Sequence, residues 1–156
     1  MELTLIPDED PRLHTVCTPI DPVQCKYPDP EYGNYGNWDE VAVRLLVFMR
    51  EHGGVGLAAP QVGIPKRLFV LGGNIKTRYC FNPEIVDYRD KKTGTDSEGC
   101  LSYPGLQVPV KRYNKIKVAY QDATGTRHVR TLRALEARAF QHELDHLNGI
   151  VIKDLI

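Results

Sequence analysis

The stretch Gln141-His142-Glu143-Leu144-Asp145-His146 decides how this sequence folds and what chemistry it carries. A helix turns about 100° per residue, so positions i and i+4 differ by only about 40° and share one face. His142 and His146 at that spacing can grip a single metal ion, and Glu143 can manage the proton of a water the metal activates. Asp145 points about 80–100° away from both histidines, so it is expected to make a supporting hydrogen bond and not a ligand bond. The pattern indicates metal-assisted hydrolysis.

Working outward, the periodicity predicts a helix from Leu132 to Leu147, stopped by Asn148-Gly149. Leu135, Ala139, His142 and His146 fall within about 60° of one another, with Phe140, Leu144 and Leu147 opposite. Both sides are apolar or metal-facing, which predicts a helix through the core. An apolar substrate side chain has room beside the ligands on that face.

Two histidines need a third protein ligand to make a catalytic site with one open position. Position 152, where a downstream histidine would fall in one class of zinc protease, is Ile, and no glutamate follows before Ile156. The third ligand is therefore sought upstream. Cys100, within Glu98-Gly99-Cys100-Leu101-Ser102, is the best candidate, because a thiolate is a strong soft donor. His14, His52 and His128 are weaker ones.

Before this helix, residues 21–37 are rich in Pro, Gly, Asn and Tyr and read as a loop. Asp39 is placed to cap a helix through Val41, Leu45, Leu46 and Met49 that ends at Gly53-Gly54. Arg67–Leu71, Tyr79–Phe81, Glu84–Tyr88, Lys115–Tyr120 and His128–Leu132 read as strands, with a turn at Asp122-Ala123-Thr124-Gly125. The expected fold class is α+β: short antiparallel or mixed sheets around a central C-terminal metal-binding helix, with one N-terminal helix. Residues 1–156 form one expected domain, since the chain shows no repeat, low-complexity tract or linker.

The balance of 20 basic against 20 acidic residues gives no net field, so neither a nucleic-acid nor a membrane partner is expected. The N-terminus has no export signal, and the four cysteines are too sparse for a disulfide scaffold. A reducing compartment is expected, with Cys17, Cys25 and Cys80 as small core residues.

Gly54-Val55-Gly56-Leu57-Ala58-Ala59-Pro60-Gln61, Glu98-Gly99-Cys100-Leu101-Ser102 and Gln141-His142-Glu143-Leu144-Asp145-His146 resemble, in order and spacing, the three signature motifs of the peptide deformylases. The similarity runs from about Ile6 to Leu155. Members of that family remove the N-formyl group from formyl-methionyl nascent peptides and release formate. The resemblance implies that Cys100, His142 and His146 hold one divalent metal, with Fe(II) native and Zn, Ni or Co able to occupy the site. It implies Glu143 as general base, and the Gln61 amide and Leu101 N–H as oxyanion donors. Val55 and Gly56 would pair with an extended substrate backbone, with Gly99 on the opposite wall. Leu135, Ala139 and Val55 would line the methionine pocket. Arg138 lies beside them, its stem packed there and its guanidinium expected in solvent. Glu98 is expected to pair with Arg112 in the interior and brace the loop of Cys100.

Tyr103-Pro104-Gly105 resembles the organellar-type branch. Ten residues follow His146, where many bacterial members continue into a helix that docks on the ribosome, so docking by that route is not expected. A monomer is expected, in a bacterial or virally encoded cytoplasmic setting or in an organelle after processing. Ile150, Val151, Ile152, Leu155 and Ile156 are expected to fold back and close the core. Two rival readings stand beside this one: a zinc aminopeptidase or endopeptidase, and a binding module without turnover. An enzyme acting on another acylated amine would differ from the main reading only in substrate.

Overall fold

In the computed structural model, which describes residues 1–156, Leu68–Leu71 is buried at all four positions. A strand buried on both sides needs a layer on each face. It is β2 of a five-stranded sheet in which β1 (Gly56–Ala58), β2, β3 (Arg78–Asp87), β6 (Lys115–Gln121) and β7 (Arg127–Arg133) lie side by side in that order. Every neighbouring pair is antiparallel. The two helices supply the two layers. Leu68 and Val70 join the cluster built on α1 (Trp38–Glu51), with Leu45, Leu46 and Met49. Phe69 and Leu71 point the other way, as alternation demands, into a cluster with Ala139 and Phe140 of α2 (Ala134–Leu147). Phe69 and Phe140 meet edge to face with ring centroids 5.0 Å apart. Each such side chain contributes about 1.5–3 kcal/mol when fully buried. The fold is α+β, as expected.

The chain enters α2 abruptly. Ala134 has φ 52°, left-handed backbone that is costly for a residue with a Cβ, and its N–H donates to Asn114 O. That reversal sets the metal-motif helix against the sheet directly after β7, so the helix starts at Ala134 and not at Leu132.

Several expectations change. Asn37, not Asp39, caps α1: its side chain accepts from Glu40 N–H while Glu40 reaches back to Asn37 N–H. Counting Glu40 as the third helical residue would have identified this capping box. The two strands read at 79–81 and 84–88 are one strand, β3, with a register shift between Phe81 and Glu84. Asn82, at φ 49°, makes the irregularity, and its side chain bonds Ile20 N–H, Ile20 O and Gln121. At the C-terminus only Val151 and Ile152 are buried, whereas Ile150, Leu155 and Ile156 are 37 %, 40 % and 83 % exposed. Val151 and Ile152 sit among Ile6, Leu13, Tyr103, Val108 and Val110, and the three others have no such cover.

A second sheet escaped the sequence reading. It is a hairpin of β4 (Thr93–Cys100) and β5 (Tyr103–Tyr113). The single buried residue of β4 is Glu98. A strand that buries a carboxylate in place of hydrophobes carries no alternating apolar signal.

Candidate active site

α2 and the tip of the β4–β5 hairpin converge. The ligand atoms of Cys100, His142 and His146 all lie within 4.8 Å of one another, and Cys100 Sγ is 3.4 Å from His146 Nε2. The helix supplies two donors one turn apart. The third comes from the last residue of β4, where the pairing slips between Glu98 and Cys100 as the chain turns into β5. A sulfur and two imidazole nitrogens form a donor set suited to a divalent transition metal with a position left for substrate. The electrostatics agree. Burial opposes charge on His142, yet Glu143, Cys100 and Glu98 raise its pKa to about 10, so this spot favours a cation. Burial, helped by His142 and Arg112, pushes His146 well below the ordinary imidazole range and keeps it neutral, the form that ligates.

Glu143 is buried, and burial raises its pKa to about 7 against the lowering pull of His142. That is the range a general base needs. Its Oε2 is 3.8 Å from His142 Nε2, and its Oε1 has no protein partner. The carboxylate lies against β1: a Cβ at Gly56 would run into Glu143 Oε2. Glycine at 56 therefore makes room for the base.

Gln61 sits in a short 3-10 turn, Ala59–Val62, that follows β1. Its Oε1 accepts from Ala58 N–H at 2.9 Å, which fixes the amide so that Nε2 faces the hairpin tip. There Nε2 donates to Ser102 Oγ at 2.9 Å and approaches Cys100 Sγ at 3.5 Å. The Leu101 N–H makes no hydrogen bond within the protein. Two donors thus border the metal cluster.

Glu98 lies behind the cluster and accepts four hydrogen bonds. Arg112 grips it with Nε and Nη2, both at 3.0 Å, and His142 Nδ1 donates to Oε1 at 2.9 Å. Arg138 Nη1 reaches Oε2 at 2.6 Å. Burial works against the Glu98 charge, but His142 and Arg112 hold its pKa down at about 2. With Nδ1 committed to Glu98, His142 presents Nε2 to the cluster. Asp145 bonds Arg112 Nη1 at 2.5 Å and is no ligand. Arg138 corrects an expectation: its guanidinium is not in solvent but bonds Glu98, Val110 O and Gly94 O. Three carbonyl and carboxylate acceptors under the hairpin outcompete water for it.

A cavity of about 590 Å³ opens beside the cluster. Val55, Gly56, Leu135, Arg138 and Ala139 line it, together with Gly99, Cys100 and Leu101 of the hairpin. Because β1 is the terminal strand of its sheet, it has one backbone edge without a strand neighbour, facing this gap. Ser102 and Gln107, which the sequence reading passed over, shape the wall: Ser102 receives Gln61, and Gln107 Nε2 lies where a Cβ of Gly99 would be. Ser102 stood inside a quoted motif, whereas Gln107 carried no signal. Gln141 also belongs here, since its amide bonds both Tyr113 N–H and Tyr113 O and docks α2 on β5. The other histidines lie outside the cluster: His14 pairs with Asp154, His52 stacks on Phe48, and His128 pairs with Asp122.

Comparison with known proteins gives one answer. The family model for polypeptide deformylase matches residues 3–156. The peptide deformylase of Thermotoga petrophila is 42 % identical over 136 residues, 87 % of this chain and 82 % of the relative. The crystal structure of peptide deformylase from Thermotoga maritima superposes with a TM-score of 0.85 at 36 % identity, covering 99 % of this chain and 97 % of that one. A Met-Ala-Ser-bound class I type b peptide deformylase from Acinetobacter baumannii superposes with a TM-score of 0.86 at 28 % identity, covering 100 % and 99 %.

Proposed function

This chain belongs to the polypeptide deformylase family and is a peptide deformylase, and we propose that Cys100, His142 and His146 hold its metal while Glu143 serves as its general base. The observation that carries the reading is the convergence of those three donors within 4.8 Å beside the buried Glu143. A divalent metal held there would polarise the formyl carbonyl and make the attacking water more acidic.

The chain's own groups do the rest. Glu143, with its pKa near 7, takes a proton from the water that attacks the formyl carbon. It delivers that proton to the departing nitrogen as the C–N bond breaks, and the second proton of the water passes from the nascent formic acid to the amine, so formate and an α-ammonium group result. Gln61 Nε2 and Leu101 N–H face the carbonyl oxygen as its charge grows. Gln61 needs no reorientation, because Ala58 N–H already anchors its other end. A formyl carbon bears only hydrogen, and the close walls of Gln61 and Leu101 disfavour larger acyl groups.

The substrate is a formyl-methionyl nascent peptide. Its backbone extends along the open edge of β1 at Val55 and Gly56, opposite Gly99, by strand addition. Its methionine side chain lies against Val55, Leu135, Ala139 and the stem of Arg138. The Acinetobacter relative with bound Met-Ala-Ser supports a methionyl peptide as the ligand. Fe(II) is the proposed native metal, with Zn, Ni or Co able to take the same donors. Residues 1–156 act as one domain and as a monomer, in the compartment where formylated chains are made. No helix is long and apolar enough to cross a membrane.

The test is formate release from formyl-Met-Ala-Ser by protein loaded anaerobically with Fe(II), beside Glu143→Ala and Cys100→Ser. Rapid release is expected from the parent chain. Glu143→Ala should lose about 10²–10⁴-fold in kcat while still binding metal, and Cys100→Ser should lose the metal itself. Turnover by Glu143→Ala at the parental rate would overturn the assignment of the base.

A further inference from the structure

Arg138 lines the methionine side of the cavity, yet its guanidinium is committed elsewhere. Nη1 bonds Glu98 Oε2 at 2.6 Å and Val110 O at 2.9 Å, and Nη2 bonds Gly94 O at 3.0 Å. Gly94 and Glu98 belong to β4, Val110 to β5, and Arg138 to α2. One side chain thus ties the helix that bears two ligands to both strands of the hairpin that bears the third.

The partners of Glu98 show why this matters. Glu98 and Asp145 are two carboxylates in contact with Arg112, which pairs with both of them. Asp145 draws on the same guanidinium that Glu98 uses, in a region where Glu98 and Arg112 are both buried. Arg138 brings a second guanidinium to Glu98, on the oxygen that His142 does not use. It also completes the acceptor capacity of Glu98, whose four bonds use about all the sites a carboxylate has. A carboxylate with its acceptor sites filled is a rigid support for the His142 Nδ1–H that it accepts.

We infer that Arg138 is a positioning residue for the metal centre, holding Cys100 in register with His142 and His146, besides lining the substrate pocket. This rests on the ligand assignment proposed above. Its planar fork matters as well as its charge: a lysine keeps the charge but cannot reach Glu98, Val110 O and Gly94 O with one fixed geometry. An apolar replacement keeps the pocket wall and loses the clamp.

The experiment uses Co(II) as the probe. Co(II)-loaded parent chain, Cys100→Ser, Arg138→Leu and Arg138→Lys are compared by the sulfur-to-cobalt charge-transfer band, the d–d bands and Co(II) affinity in chelator competition. Parent protein should show the charge-transfer band and Cys100→Ser should not. A band that survives Cys100→Ser would overturn the ligand assignment itself, separately from the role of Arg138. Arg138→Leu should bind Co(II) about 10–100-fold more weakly, with altered d–d bands, and Arg138→Lys should fall between it and the parent. A side chain that only stabilises the fold would lower the melting temperature and leave the bands and affinity in place. Parental affinity and spectrum in Arg138→Leu would therefore overturn the inference. Should Arg138→Leu not fold, Arg138→Lys decides: affinity at least about threefold weaker supports the clamp, and a parental spectrum with parental affinity overturns it.

Discussion

The β6–β7 hairpin closes on itself. Asp122 Oδ1 accepts from the Thr124 N–H and hydroxyl and from Thr126 N–H, Oδ2 meets His128 Nε2, and Gly125 takes the left-handed φ of 85°. Every hydrogen bond of the Asp122 side chain lies between residues 122 and 128. The β4–β5 hairpin closes through Leu101-Ser102 and is gripped from far away: Gln61 reaches its tip across 41 residues, and Arg138 and His142 bind Glu98 across 40 and 44. A turn whose polar contacts are its own asks nothing of the catalytic elements. A turn held by the elements that carry the other catalytic groups is in place only when those groups are, and that suits a turn bearing a metal ligand.

Removing Arg112 should break the remote hairpin hardest. Arg112→Leu leaves Glu98 and Asp145 without their shared partner, and losing one side of a buried pair costs about 3–5 kcal/mol. Thermal unfolding of metal-free protein should fall by roughly 10 °C, given the few degrees per kcal/mol typical of this chain length. A drop of one or two degrees would show that Arg138, Gln141 and Gln61 hold the hairpin without Arg112. Gln61→Leu probes the tip instead. It strips a donor from Ser102 and the acceptor from Ala58 N–H, so kcat for deformylation should fall about 10²–10³-fold. A change confined to KM would move Gln61 from the oxyanion to ground-state binding.

The smallest effect belongs to the self-contained hairpin. Burial alone would raise the Asp122 pKa, but Thr124, His128 and the turn amides lower it from 3.8 to about 2. Its contribution is therefore fully present above pH 3.8 and is lost as the pH falls through about 2. Asp122 is partly exposed, so solvent screening keeps the expected loss in Asp122→Asn below about 1 kcal/mol at neutral pH. Denaturant unfolding between pH 4 and pH 2 should have a shallower pH slope in the variant. Equal slopes would mean that the turn does not hold this carboxylate in the ionised form.

The same contrast governs what was legible in the chain. The β6–β7 turn announced itself as Asp-Ala-Thr-Gly between alternating strands, and α2 through His142, His146 and the apolar positions around them. The β4–β5 hairpin was silent, because Thr93-Gly94-Thr95-Asp96-Ser97 is polar throughout and its partner strand meets the core at Tyr103, Val108, Val110 and Arg112. Cys100, Gln61 and Glu98 came from motifs and not from periodicity. The destination of the Arg138 guanidinium could not be read, since its acceptors include the backbone carbonyls of Gly94 and Val110, which no side-chain pattern encodes. The bulge at Asn82 was hidden for a related reason: its partners Ile20 and Gln121 are far along the chain.

The saturated carboxylate at Glu98 has a consequence for inheritance. Its four donors come from three side chains on two elements, with Asp145 sharing one of them. Each of them meets Glu98 directly or through Arg112, so a change at one is felt by the others, and Glu98, Arg112, Arg138, His142 and Asp145 form one coupled block. A chimera that takes residues 93–113 from one parent and 134–147 from another will assemble its metal centre only where both parents carry the same block.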